Sequence, residues 1–139
     1  MEIDEFKLSD YQEAIAFWEM IEGITLNESD TLEAINQFLE RNNGLSFTAK
    51  ENGNIIGTIL CGHNGRAAHI YHLAVSEKYR GQGIGKALVS LCISKLAKIN
   101  IPRCNIFIYT DNLEGNGFWL KTGWNNPTNW KVLQKYIKF

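Results

Sequence analysis

Just past mid-chain, the residues Tyr79-Arg80-Gly81-Gln82-Gly83-Ile84-Gly85-Lys86-Ala87-Leu88 join a strand-like run to an amphipathic helical one through a glycine-spaced turn. Gly81, Gly83 and Gly85 permit positive φ and close backbone approach to a bound group. The first amides of the helix that follows have no partner inside it, and the positive end of the helix dipole lies beside them. The segment therefore reads as a cradle for a pyrophosphate. Arg80 and Lys86 add charge at its two edges. A magnesium-nucleotide loop, G-x-x-x-x-G-K-[ST], does not fit, because Ala87 follows Lys86 and offers no hydroxyl to the metal. A dinucleotide fold wants its glycines after the first strand, with room for a second unit, and neither condition holds. The remaining plain reading is a loop that only turns the chain.

The 139 residues suit one domain, 1–139, with a core of its own. Net charge is −1, with 14 basic and 15 acidic residues interleaved, so no electrostatic footprint for nucleic acid is present. Cys61, Cys92 and Cys104 stand singly in apolar runs without C-x-x-C spacing, which points to small buried hydrophobes rather than a disulfide framework or a metal site. The N-terminal residues are charged, and no apolar stretch approaches the ~18 residues of a spanning helix, so the expectation is a cytoplasmic protein with no membrane partner.

Ser9-Asp10 signals a helix start, and the first helix is expected over Asp10–Glu22. A second start at Ser29-Asp30 precedes Leu32, Ile35, Phe38 and Leu39, one apolar face that ends at Asn43-Gly44. From Leu45 the period changes. Leu45–Lys50, the turn Asn52-Gly53 and Asn54–Cys61 read as a β-hairpin, and Ala67–Val75 as a third strand entering the glycine turn. A long helix follows from Ile84 to Lys98, then a strand over Arg103–Tyr109, a short helix from Asp111-Asn112 to Thr122-Gly123, and a last strand over Trp130–Phe139.

Two separated motifs now resemble those of the GCN5-related N-acetyltransferases (GNAT), which move an acetyl group from acetyl-CoA to an amine. Arg80-x-x-Gly83-x-Gly85 is similar to the family's [QR]-x-x-G-x-[GA] loop. Asn112-x-x-Gly115-x-x-Phe118-Trp119-x-Lys121-x-Gly123-Trp124 is similar to its N-x-x-A-x-x-[FL]-Y-x-K-x-G-F segment. The resemblance implies an α/β fold of the α+β kind: a mixed, mostly antiparallel central sheet flanked by about four helices, with a V-shaped split between the two central strands. It implies acetyl-CoA as cosubstrate, a small-molecule or peptide amine as acceptor, and direct attack in a ternary complex.

Residue by residue, the resemblance implies that Arg80, Gly81, Gln82, Gly83, Ile84, Gly85 and Lys86 hold the pyrophosphate. Leu73, Ala74 and Val75 would pair with the pantetheine arm, and an amide near Val75 would hold the thioester oxygen. Asn112, Gly115, Trp119 and Lys121 belong to the second motif, with Asn112 near the arm or acting simply as a helix N-cap. Trp119 stands where many relatives carry the tyrosine that protonates the leaving thiolate. Indole cannot do this, so Tyr71 and Tyr109 are substitute candidates, and Trp119 reads as core packing and a wall of the acyl site. A base is also needed. His69 is the first choice, because alternation places His69, Tyr71, Leu73 and Val75 on one face unless a bulge intervenes. On that alternation His72 faces the other way and is structural, as is His63 in its turn. Relatives that acetylate ribosomal-protein N-termini carry a glutamate where this chain has Phe107, which weakens that reading. Glu19, Glu22, Glu28 and Asp30 are expected either to attract a cationic amine or to form a solvated helix end. The catalytic set is thus His69, Tyr71 and Val75, with no metal. A weakly active acyl-CoA sensor and a nucleotide-binding regulator are the rival readings. A C-terminal strand ending in Tyr136-Ile137-Lys138-Phe139 offers an edge for a homodimer.

Overall fold

The computed structural model describes all 139 residues, which divide into two compact units, Met1–Phe107 and Ile108–Phe139. In the first, strand β1 (Glu2–Glu5) leads through a 3-10 turn at Leu8–Asp10 into helix α1 (Tyr11–Glu19). A second 3-10 turn, Glu28–Asp30, precedes helix α2 (Leu32–Arg41), whose N-cap Thr31 accepts a hydrogen bond from the Ala34 amide. Strands β2 (Phe47–Glu51), β3 (Asn54–His63) and β4 (Ala68–Val75) follow, then helix α3 (Ile84–Lys98) and strand β5 (Cys104–Ile106). The strands form one sheet in the order β1-β2-β3-β4-β5, antiparallel except for the β4–β5 pair.

Each face of this sheet is covered by a helical layer. Phe6, Phe17, Trp18, Ile35, Leu60 and Ala74 make a core with α1 and α2 on one side. On the other, a Cβ built on Gly57 would lie 3.3 Å from both Ile84 and Leu88, so α3 packs closely there. The hairpin turn is the expected one: Asn52 and Gly53 have φ of 52° and 80°, the left-handed pair that a two-residue connection between twisted strands requires.

The β4–β5 ladder is short. It runs from Ala68/Cys104 to Ile70/Ile106, whereas β4 continues to Val75, so its last five residues have a partner on the β3 side only. This is the split that the family resemblance implies, and it needs β5 to be shorter than the expected strand over Arg103–Tyr109.

In the second unit, helix α4 spans Leu113–Lys121. The strand expected over Trp130–Phe139 is not formed. That segment has no regular secondary structure, and Trp130, Leu133, Tyr136, Ile137 and Phe139 are exposed. A strand needs a ladder partner for its backbone groups, and this unit contains no other strand. The segment's apolar side chains also fall at both odd and even positions, a pattern that suits only a strand buried on two faces. No helix is long and apolar enough to cross a membrane.

Candidate active site and family

The glycine turn has the geometry of an anion cradle. Gly81 and Gly83 stand at φ of 77° and 82°, with nothing within 4 Å of where a Cβ would sit. Gly83 is the N-cap of α3, and lacking a side chain it leaves the amides of the first turn without a side-chain cap. The first intrahelical bond runs from the Ala87 amide to the Gly83 carbonyl at 3.0 Å, so the amides of Ile84, Gly85 and Lys86 precede the ladder. No acidic residue occupies this first turn. Gly85 differs from expectation: it lies within the helix and has no positive φ, its value being the absence of a side chain near the cradle. Lys86 and Gln82 are exposed, while the Ile84 side chain is buried beneath the turn.

Arg80 ties the cradle to the end of β4, its Nε donating to the Val75 carbonyl at 3.0 Å. That carbonyl is accessible because of an irregularity upstream. The Ala68 amide donates to Arg103, on the β5 side, whereas the Ser76 amide donates to Ile56 of β3. In an unbroken strand two even-numbered amides would point the same way, so one extra residue lies between them. The register shows where: Leu60 opposes Tyr71, but Thr58 opposes Ala74. The inserted residue is His72, a non-glycine at φ 49°. This β-bulge reverses the alternation and turns the amide and carbonyl of Val75 away from β3, toward the side that β5 leaves unpaired.

The same bulge overturns the expected face for two side chains, Val75 and His72, and leaves His69 and Tyr71 together. Tyr71 meets Phe38 of α2 in an edge-to-face contact at 6.0 Å, and His69 stacks on Tyr71 at 6.2 Å, so both belong to the α1–α2 side. Val75 opposes Gly57, whose missing side chain would point at α3, and so Val75 lies on the other side. His72, expected to face away from His69, joins the α1–α2 side instead. Its Nε2 lies 2.7 Å from Asp30 Oδ1, and the Trp18 ring is 4.6 Å from its own. Asp30 is thus a buried partner rather than part of a solvated acidic cluster, whereas Glu19, Glu22 and Glu28 are exposed. Burial pushes the Asp30 carboxyl up, but hydrogen bonds from His72 and the Asn27 amide, with the nearby imidazole charge, outweigh it and hold the group below its ordinary value.

Phe107 completes a row of rings, 5.3 Å from His69 and nearly parallel to it. Phe38 and Phe107 were not among the expected site residues. The apolar face of the second helix was the only sequence signal for Phe38. Burial, with a smaller contribution from Cys61, raises the Tyr71 phenol above its ordinary value, so its hydroxyl keeps its proton at neutral pH.

In the second unit Asn112 caps α4, its Oδ1 accepting from the Gly115 amide at 2.9 Å. A Cβ on Gly115 would come within 2.7 Å of Asn112 Nδ2 and 2.8 Å of Ile108 Cδ1, so the alanine of the family motif would require these two side-chain ends to shift. Trp119 is buried, with Trp124 at 4.6 Å and Phe118 at 5.1 Å, an aromatic nucleus that accounts for the indole by packing. Lys121 lies exposed in the last turn of α4, where its charge suits the helix dipole.

The three cysteines converge from β3, α3 and β5 although nothing in their spacing says so. Cys61 interacts with both Cys104 and Cys92, and Cys92 donates to the Leu45 carbonyl at 3.3 Å. The Cys104 contact lowers the Cys61 thiol, but the Cys92 contact and burial outweigh it and push it up to about 12, so it is an inert thiol. No group of His, Cys, Asp or Glu side chains is arranged to hold a metal ion.

Residues 9–124 match the family model described as Acetyltransferase (GNAT) family. The chain belongs to the GNAT acetyltransferase family. An acetyltransferase of Yersinia pestis strain Pestoides F is 33% identical over 112 residues, covering 81% of this chain and 79% of the relative. A GNAT-family acetyltransferase from Staphylococcus aureus Mu50 superposes with a TM-score of 0.77 at 24% identity, over 88% of this chain and 81% of that one. The PaiA N-acetyltransferase of Thermoplasma acidophilum, solved in complex with coenzyme A, gives 0.75 at 21% identity, over 88% and 87%. The GNAT chain described here is accordingly an acyltransferase with the mixed sheet of that fold.

Proposed function

We propose that this GNAT protein transfers the acetyl group of acetyl-CoA to a primary amine, by direct attack in a ternary complex and within one catalytic domain formed by residues 1–139. The uncapped start of α3 carries the reading: the amides of Ile84, Gly85 and Lys86 precede the helical ladder where a pyrophosphate needs donors, and the open side of β4 begins a few residues upstream. The residues fit the coenzyme. Arg80, Gly81, Gln82, Gly83, Ile84, Gly85 and Lys86 hold the pyrophosphate, and the unpaired side of Leu73, Ala74 and Val75 offers backbone groups to the amide-bearing pantetheine arm. Asn112, Gly115, Trp119 and Lys121 enter through the family motif they spell, and the coenzyme supplies an activated thioester when bound.

In this reading the Val75 amide donates to the thioester oxygen and stabilises the negative charge that develops on it during attack. His69 accepts the proton that the ammonium must lose, an imidazole being suited to that task near neutral pH. Tyr71 gives a proton to the departing thiolate, which its protonated phenol allows. The aromatic row of Phe38, Tyr71, His69 and Phe107 supports an acceptor that presents apolar or cationic surface to ring faces, as a small amine or a peptide side chain does. A cytoplasmic location and a homodimer through the unpaired tail belong to the same reading.

Calorimetry with acetyl-CoA, followed by thiol release against a panel of primary amines, tests it. Micromolar binding and amine-dependent CoA release are expected, with His69→Ala losing 10²-fold or more in rate, the typical contribution of a general base. No binding at millimolar acetyl-CoA would sink the proposal, and binding without release across the panel would favour an acyl-CoA sensor.

A further inference from the structure

His72 is held from three directions. Its backbone carbonyl accepts from the Thr58 hydroxyl at 2.8 Å, and that hydroxyl in turn accepts from the Trp18 indole N–H at 2.8 Å. Its ring bonds Asp30, and the Trp18 ring packs against it. Asp30 is itself fixed, its second oxygen accepting from the Asn27 amide at 3.0 Å and its backbone carbonyl from the Tyr11 hydroxyl at 2.7 Å. A buried carboxylate costs desolvation, so a bulge that needed only packing would have no use for one. The residue so restrained is the one whose left-handed conformation sets the phase of everything downstream in β4.

We propose that Asp30 and His72 are positioning residues for acetyl transfer, their contact holding the β4 bulge in the register that turns the Val75 amide outward. The inference rests on the acetyl-CoA reading above and adds to it residues that touch neither coenzyme nor reacting atoms. Asp30 belongs to the connection between α1 and α2, so the pair also fastens that connection to the strand carrying the amide. When the pair is broken, the bulge can slip its extra residue along β4, and Val75 then loses its orientation while the cradle at α3 is untouched.

The test needs no acceptor. Infrared spectra of carbonyl-¹³C acetyl-CoA bound to the protein report the hydrogen bond to the thioester oxygen, and calorimetry reports the grip on the pyrophosphate. With the wild-type chain the carbonyl band is expected at lower frequency than for free acetyl-CoA. In Asp30→Asn and His72→Ala it is expected to return most of the way to the free value, with Kd changed by about threefold or less. His72→Gln, whose amide nitrogen reaches the place of Nε2 and still donates to Asp30, is expected to restore much of the shift. Near-ultraviolet circular dichroism shows that each variant is folded, and Asp30→Asn, nearly isosteric, serves should His72→Ala not be. A low-frequency band retained in the folded Asp30 and His72 variants overturns the inference, as does an unshifted band in wild type that binds tightly. Failure of wild type to bind acetyl-CoA at all removes the broader reading instead.

Discussion

At Gly83 the backbone sits in the left-handed region with open space around the absent Cβ, so a side chain there costs conformational strain and no collision. Gly83→Ala is expected to destabilise the fold by only about 1 kcal/mol, yet to weaken acetyl-CoA binding tenfold or more, because strain relieved by turning the peptide moves the amides off the anion. Calorimetry and thermal melts on the same variant separate the two effects. Asp30 carries a pH signature. Its folded carboxyl lies below the unfolded value of 3.8, so the unfolded chain takes up the proton first as pH falls. The stabilisation is present above that value and disappears as the pH drops through the folded one. The difference in urea midpoint between wild type and Asp30→Asn is therefore expected to shrink as the pH falls below about 4. Glycines were readable in the sequence because their chemistry is local. His72 was not: its importance comes from Asp30, 42 residues away along the chain, and no local pattern records that pairing.

Helix α2 and strand β3 meet so closely that a Cβ on Gly62 would lie 2.8 Å from both Asn42 Nδ2 and the Phe38 ring. Asn42 also anchors the junction, accepting from the His63 amide at 3.0 Å and donating to the Phe38 carbonyl at 3.2 Å. Gly62→Ala is expected to cost about 1–3 kcal/mol in denaturant unfolding, the usual range for overpacking a fitted contact. Because Phe38 also touches Tyr71, the same change should raise KM for the acceptor more than for acetyl-CoA. The long helix was legible with its ends, beginning at Ile84 and ending at Lys98 as its apolar spacing and glycine entry imply, whereas the first helix stops at Glu19, short of the expected Glu22, and the second is capped by Thr31 rather than Ser29 or Asp30. The bulge in β4 was allowed for but not located, since His-Ile-Tyr-His-Leu alternates equally well in two registers. Only pairing with β3 chooses between them.

For the molecule as a whole, a ligand held mainly by backbone amides of the folded state must raise its melting temperature. Acetyl-CoA at 100 times Kd is expected to add about 2.7 kcal/mol, a shift of several degrees read by scanning fluorimetry, with Gly83→Ala showing much less. The exposed apolar side chains of residues 130–139 favour self-association. Light scattering at 100 µM is expected to show a dimer, and deletion of residues 130–139 a monomer. A wild-type chain that stays monomeric at that concentration refutes this.

Sequence alone determined what depends on neighbours along the chain: the glycine turn at a helix start, the hairpin at Asn52-Gly53, and the two motifs that place the chain in its family. The tertiary structure decided what depends on partners from afar. It chose which histidine meets a carboxylate, which way the Val75 amide points, how three lone cysteines come together, and that residues 130–139 form no strand here. The reason is physical: φ preferences and capping bonds act within a few residues, whereas ladder register and buried ion pairs exist only once distant segments have been brought into contact.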